Sequence, residues 1–261
     1  MRYLRLYLYF LRFSFSRAME FRLDFWFRIV MDCTFYAVQI IFFRVLYSQT
    51  GMLGGWSLDQ SLVFICGFFM IDALHMTLFA NNLWWLPILV NKGDLDYYLV
   101  RPVSSLFFVS LRDFAANSFV NLLIAGGLLA WALARYPLPL GGGSIAMFVL
   151  FILNGSLLYY TLAMCFLVPV FWLHSNRGLG DVFYTLQHYA SRPDRIFTGY
   201  VRRLLVTFLP FSLIMSFPTR ILFEGLTPSI LLHLTVVTTL AFLFLVWLWN
   251  KGLRAYSSAS S

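Results

Sequence analysis

Apolar residues fall in long runs along this chain, and short polar intervals separate them. Each run is far longer than the roughly ten alternating residues of a membrane β-strand. They match the roughly 20 residues a helix needs to cross a bilayer. The pattern predicts helices over about 25–47, 58–82, 106–134 and 145–173, a proline-broken fifth from about 201, and a sixth over 230–249. The first 24 residues differ. Arg2, Arg5, Arg12, Ser16 and Glu20 recur at helical spacing in a background of Leu, Tyr and Phe. That is an amphipathic helix lying in the membrane interface. Arg12, Arg17, Glu20 and Arg22 interrupt any signal-peptide core, and no small-residue cleavage site follows. The expected organisation is an interfacial helix over 1–24, a six-span all-α membrane domain over 25–256, and a disordered Ser-rich tail over 257–261.

The polar intervals carry the punctuation. Gly51–Ser57 and the stretch from Tyr136 to Gly143 are turns rich in Gly and Pro. The interval Val90–Ser105 is more informative. Gly93 signals a turn, Asp94 is a suitable N-cap for a short helix, and Arg101-Pro102 ends that helix. The predicted segment is amphipathic and about two turns long: a natural docking surface for a soluble partner, with an ordinary loop as the alternative on composition alone. Trp84 and Trp85, just before it, suit a headgroup-level anchor. A second polar interval, 174–200, holds Arg177, Asp181, Arg192, Asp194 and Arg195. The fifth run is broken by Pro210 and Pro218, and Pro228 follows Arg220 and Glu224.

Composition confirms the class. Hydrophobic residues make up 61% and charged residues 11%, against roughly a quarter charged in soluble domains. The net charge of +8 matters through its placement. Basic residues of membrane proteins concentrate in cytoplasmic loops. With both ends in the cytoplasm, only Arg44, Arg135 and Arg220 of the 19 basic residues fall on the opposite side. That orientation puts both the central interval and 174–200 in the cytoplasm.

The chemistry of an enzyme is missing. There is no phosphate-binding G-x-x-x-x-G-K-[ST] loop, no H-E-x-x-H and no G-x-S-x-G. The three cysteines, Cys33, Cys66 and Cys165, lie inside apolar runs and fit neither a zinc site nor a disulfide framework. The basic charge is accounted for by topology, so nucleic acid is not an expected partner. Asp72 and His75 sit three apart on one face of the second run. They form either a structural polar pair or part of a pathway. Asp32 can pair with Arg28 one turn earlier.

Two stretches carry a family resemblance. Gly93-Asp94-Leu95-Asp96-Tyr97-Tyr98-Leu99-Val100-Arg101-Pro102 is similar to the G-x-L-D-x-x-L-x-[KR]-P pattern of ABC-2 type permeases. Arg192-Pro193, Ile196-Phe197, Pro210 and Pro218 resemble a signature of one subgroup, with Arg192 standing where a tyrosine is usual. The resemblance implies the membrane subunit of an ATP-binding cassette exporter in a prokaryotic inner membrane. It implies cytoplasmic ATPase subunits that carry the ATP and Mg, with no cofactor in this chain. It also implies a second permease, identical or homologous, contact with membrane lipids, and export of a lipid, glycan, peptide or hydrophobic small molecule. Gly93, Asp94, Leu95, Asp96, Tyr97, Arg101 and Pro102 would form the coupling helix on the ATPase. The breaks at Pro210, Pro218 and Pro228 would form a re-entrant region between spans five and six. An ion-gradient-driven transporter and a non-transporting scaffold are the alternatives, although no internal repeat supports the former.

Overall fold

A computed structural model describes residues 2–18, 22–175 and 177–257. In chain order the helices are α1 (Arg2–Ala18), α2 (Arg22–Gln49), α3 (Leu58–His75), α4 (Asn81–Lys92), α5 (Asp96–Leu99), α6 (Ser105–Leu111) and α7 (Ala116–Arg135). Then come α8 (Gly142–Leu167), α9 (Val170–Leu173), α10 (Arg177–Ala190), α11 (Gly199–Arg203), α12 (Ser216–Glu224) and α13 (Pro228–Ala255).

Five helical stretches are long and apolar enough to cross a membrane: Phe25–Gln49, Leu58–Lys92, Ser118–Arg135, Gly142–Leu173 and Pro228–Ala255. α3 and α8 form the buried centre. α3 packs most extensively on α7, and α8 takes α3, α12 and α13. α2 and α13 keep apolar outer faces, with Trp26, Phe27 and Val30 on one and Leu232, Leu240 and Phe244 on the other. Such faces suit lipid.

The second run is longer than its sequence pattern predicts. A capping box starts it: Ser57 Oγ accepts from the Gln60 backbone N–H, and the Ser57 N–H donates to Gln60 Oε1. A π-helical turn over Met76–Ala80 joins α3 to α4 without ending the helix. The resulting rod of 35 residues is about 50 Å long at 1.5 Å per residue, against ~30 Å of bilayer hydrocarbon. A helix of that length exceeds the apolar layer, so at least one of its ends projects out of it.

The third run is not the continuous helix expected over 106–134. It breaks at residues 112–115, where Arg112 and Asp113 interrupt the apolar pattern. The freed backbone groups find partners from three other elements. Asn82 Nδ2 donates to the Asp113 carbonyl at 2.7 Å, and the Asp113 N–H returns a bond to Asn82 Oδ1 at 2.9 Å. The Ala115 N–H donates to the Thr77 carbonyl at 3.0 Å, and the Phe114 N–H to Ser14 Oγ at 3.1 Å. The last bond ties α1 to the break. α1 also meets α6 edge-on through Tyr3–Phe107 and Phe10–Phe108, while Arg5, Arg12 and Ser16 of the expected polar stripe stay exposed. Glu20 and the tail from Ser258 lie outside the described residues, as do the side chains of Arg2 and Asp24.

The interval 174–200 corrects the sequence reading. It starts beside the central interval, where Asn91 Nδ2 donates to the His174 carbonyl at 2.8 Å. It ends at the opposite end of the bundle. There, the backbone of Arg195 lies 3.3 Å from where a Cβ on Gly54 would be. α10 thus runs the length of the bundle. Its 14 residues rise only about 21 Å, and polar side chains interrupt them, so no apolar run marks it. The fifth span expected from Val201 does not form as a helix. α11 passes into a π-helical turn over Leu204–Phe208 and stops at Leu209-Pro210. The chain then lies at mid-bundle. The Ile214 carbonyl sits against Gly155, Met215 against Gly67, and the Phe211 ring 5.7 Å from Phe183. α12 returns to the end it came from, where Phe223 packs on Tyr136 at 4.7 Å.

That path moves several cations. Arg195 and Arg202 accompany Arg220 at the end opposite the central interval, and the three share two carboxylates there. The fully buried Asp194 takes Arg202 at 2.9 Å and Arg220 at 3.9 Å, while Glu224 takes Arg195 and Arg220. The basic excess at the central-interval end shrinks but keeps its sign.

Candidate functional site

The central interval is built as a tip on a fixed root. α4 ends because Gly93 adopts φ +79°, a left-handed conformation that spares only glycine the Cβ penalty. The chain folds back so that the Leu95 N–H donates to the Leu89 carbonyl at 3.2 Å, and the Leu95 side chain is fully buried. One turn of helix, Asp96–Leu99, comes next. It is shorter than the two turns predicted, and Asp94 does not cap it: Leu95 holds the cap position with no side-chain bond. Arg101 and Pro102 end the turn, both exposed. Outward from this root stand Tyr97, 71% exposed, and Val100, 80% exposed. Both are large apolar side chains displayed among polar neighbours.

The tip is braced from four directions that sequence reasoning missed. Arg112 donates to the Tyr98 hydroxyl and lies over its ring, 4.5 Å from the centroid. The Ser104 N–H donates to the Tyr3 hydroxyl of α1. Trp249 Nε1 of α13 donates to Ser105 Oγ at 3.1 Å, and its ring meets Phe171 of α9 edge-on. Asn91 holds the end of α9 through the His174 carbonyl. At the end of α13, Tyr256 approaches Asp96 and Asp94. Burial of its hydroxyl, then the two carboxylates, raise its pKa, so the phenol stays protonated and able to donate to Asp96. Every one of these contacts joins residues distant in sequence, and no local pattern announces them.

Asp72 and His75 occupy one site but do not hydrogen-bond to each other among the described residues. Both face Tyr159 of α8. The His75 ring lies against it at a tilt, with centroids 4.3 Å apart, and the Tyr159 hydroxyl reaches the Asp72 carboxylate. Gln187 of α10 donates to Asp72 Oδ1 at 3.5 Å. Asp32 lies close by on α2. It accepts a hydrogen bond from Asn121 of α7, with the charge of Arg28 near it as its spacing suggests. Five helices therefore converge on a polar cluster inside an apolar bundle. The outward face of α10, with Asp181, Tyr184, Thr185 and His188, is exposed.

The three prolines play distinct parts. Pro210 is buried and opens the mid-bundle turn, Pro218 sits in the first turn of α12, and Pro228 is the first residue of α13, after a Thr227 cap.

The profile of a family described as ABC-2 family transporter protein matches residues 33–260. The chain belongs to the ABC-2 transporter family. Neither a curated protein nor a solved structure matches it. The match takes in most of α2, the four later candidate spans, the tip and α10, and α1 lies before it. Family and fold together make the chain a membrane permease, the kind of subunit that works with ABC ATPases in general.

Proposed function

We propose that this permease couples to a cytoplasmic ABC ATPase through the tip Gly93–Pro102 and exports an amphipathic or apolar substrate across a prokaryotic inner membrane. The carrying observation is the tip itself: exposed Tyr97 and Val100 on a fully buried Leu95, at the end of a 35-residue rod longer than the apolar layer is thick. Its bracing supplies a route for force. A push on the tip reaches α6 through Tyr98, α13 through Ser105 and Trp249, and α1 through Tyr3.

In this reading the chain crosses the membrane six times, with α10 as the fifth crossing and both ends in the cytoplasm. Residues 204–224 dip from the outer face to mid-bundle and return. Irregular backbone at that depth is tolerated where protein covers it, as Gly67 and Gly155 do here. The exposed polar face of α10 has no favourable place against lipid. It faces a second permease, identical or homologous, and the pathway between them.

The test is co-purification of the permease with its ATPase, followed by substrate-stimulated ATP hydrolysis. Tyr97→Ala combined with Val100→Ala should leave insertion intact and reduce ATPase capture by about tenfold or more. Full capture by that variant, or transport that needs an ion gradient and no ATPase, overturns the reading.

A further inference from the structure

A cleft of about 700 Å³ opens between α1 and the chain leaving the tip. Leu6, Phe10, Val103 and Phe108 line it with apolar surface, beside Tyr9 and Pro102. Arg5 and Arg101 line it too, and no carboxylate does. Among the described residues, neither side chain has an ion-pair or hydrogen-bond partner. The cleft therefore pairs a concentrated positive charge with an apolar wall. Guanidinium groups match phosphate oxygens in geometry as well as charge. An apolar wall beside such a pair suits a molecule whose phosphate is attached to hydrocarbon.

We propose that this cleft binds an anionic phospholipid of the adjoining leaflet, its phosphate at Arg5 and Arg101 and an acyl chain along Phe10 and Phe108. The proposal rests on the reading of α1 as an interfacial helix. The lipid ties α1 to Arg101, the residue that ends the coupling turn, so the tip is anchored to the bilayer surface as well as to the bundle.

The experiment uses the purified full-length permease in detergent micelles with equal phosphatidylglycerol and phosphatidylcholine, and reads retained lipid by native mass spectrometry. The wild type should retain phosphatidylglycerol by about tenfold over phosphatidylcholine. The R5Q/R101Q variant should fall to parity, and R5K/R101K should keep most of the preference. R135Q alters a cation at the other end of the bundle, over Trp131, and should leave the preference unchanged. If the double variant does not stay monodisperse, R5Q and R101Q alone should each lower the ratio severalfold. Millimolar inorganic phosphate should not displace the lipid. Parity in the wild type, a preference that survives loss of both arginines, or displacement by free phosphate overturns the proposal. No ATPase or nucleotide is present, so a failure of coupling through the tip leaves this readout untouched.

Discussion

The two polar intervals of this chain look alike in sequence and behave in opposite ways. Val90–Ser105 and 174–200 each interrupt apolar runs with acids, bases, a glycine and a proline. The first becomes a tip that leaves the bundle at the end where it starts. The second runs through the bundle and ends beside Gly54. The difference lies in what their polar groups meet. In the tip, Arg101 and Lys92 are exposed. In the second interval Gln187 bonds to Asp72 across the bundle, and Asp194 is buried with Arg202 and Arg220. Polarity in a membrane chain therefore marks either water or a partner. Composition alone does not separate the two.

The contrast can be broken at several points. The largest effect is expected at the root of the tip. Leu95→Ala empties a fully buried site and should cost about 2–5 kcal/mol, read as a lowered melting temperature together with lost ATPase capture. Next comes the surface on which the returning chain rests. A Cβ on Gly155 would lie 2.2 Å from the Ile214 carbonyl oxygen. That oxygen is backbone and cannot swing aside, so Gly155→Ala should cost about 1–3 kcal/mol. Gly67→Ala clashes with the flexible end of the Met215 side chain and otherwise meets the Phe148 ring at an ordinary 3.4 Å, so it should melt closer to wild type. Equal losses for the two glycines would contradict the mid-bundle placement of 211–215.

Smaller effects separate docking from folding. Tyr97→Ala should change stability by less than about 0.5 kcal/mol, as exposed substitutions do, while weakening ATPase capture. A matching loss of stability would mean that Tyr97 is structural. The smallest effect is expected at Gln187→Leu, which removes one long hydrogen bond to Asp72. Polar contacts between membrane helices average ~0.6 kcal/mol, so the melting temperature should barely move. A transport defect at normal ATPase capture in this variant would place the Asp72 cluster on the substrate path.

Much of the fold was legible because hydrophobic run length is a direct physical requirement of crossing a bilayer. Of the two runs with the most exposed apolar faces, α2 lies within three residues of its expected bounds, and α13 starts as expected but continues six residues farther. The tip was legible because Gly93 and Pro102 act locally, through backbone conformation. What was illegible depended on partners far along the chain. The break at 112–115 is stable only because Asn82, Thr77 and Ser14 satisfy it. α10 was hidden because a helix packed on one side against protein need not be apolar all round. Its inward residues Phe183, Leu186 and Ala190 are few, and Asp181, Thr185 and His188 alternate with them. The run from Val201, with Pro210 and Pro218, reads as a broken span because its apolar content is real. Only the packing of Ile214 and Met215 reveals that it turns back.

The sidedness of the two intervals tests this most directly. In a chain with Cys33, Cys66 and Cys165 replaced, single cysteines at Tyr97 and at Thr198, both exposed, are treated with a membrane-impermeant maleimide. Thr198→Cys should label in intact cells and Tyr97→Cys only after permeabilisation. Labelling of both positions from the same side of the membrane would contradict the passage of α10 through the bundle.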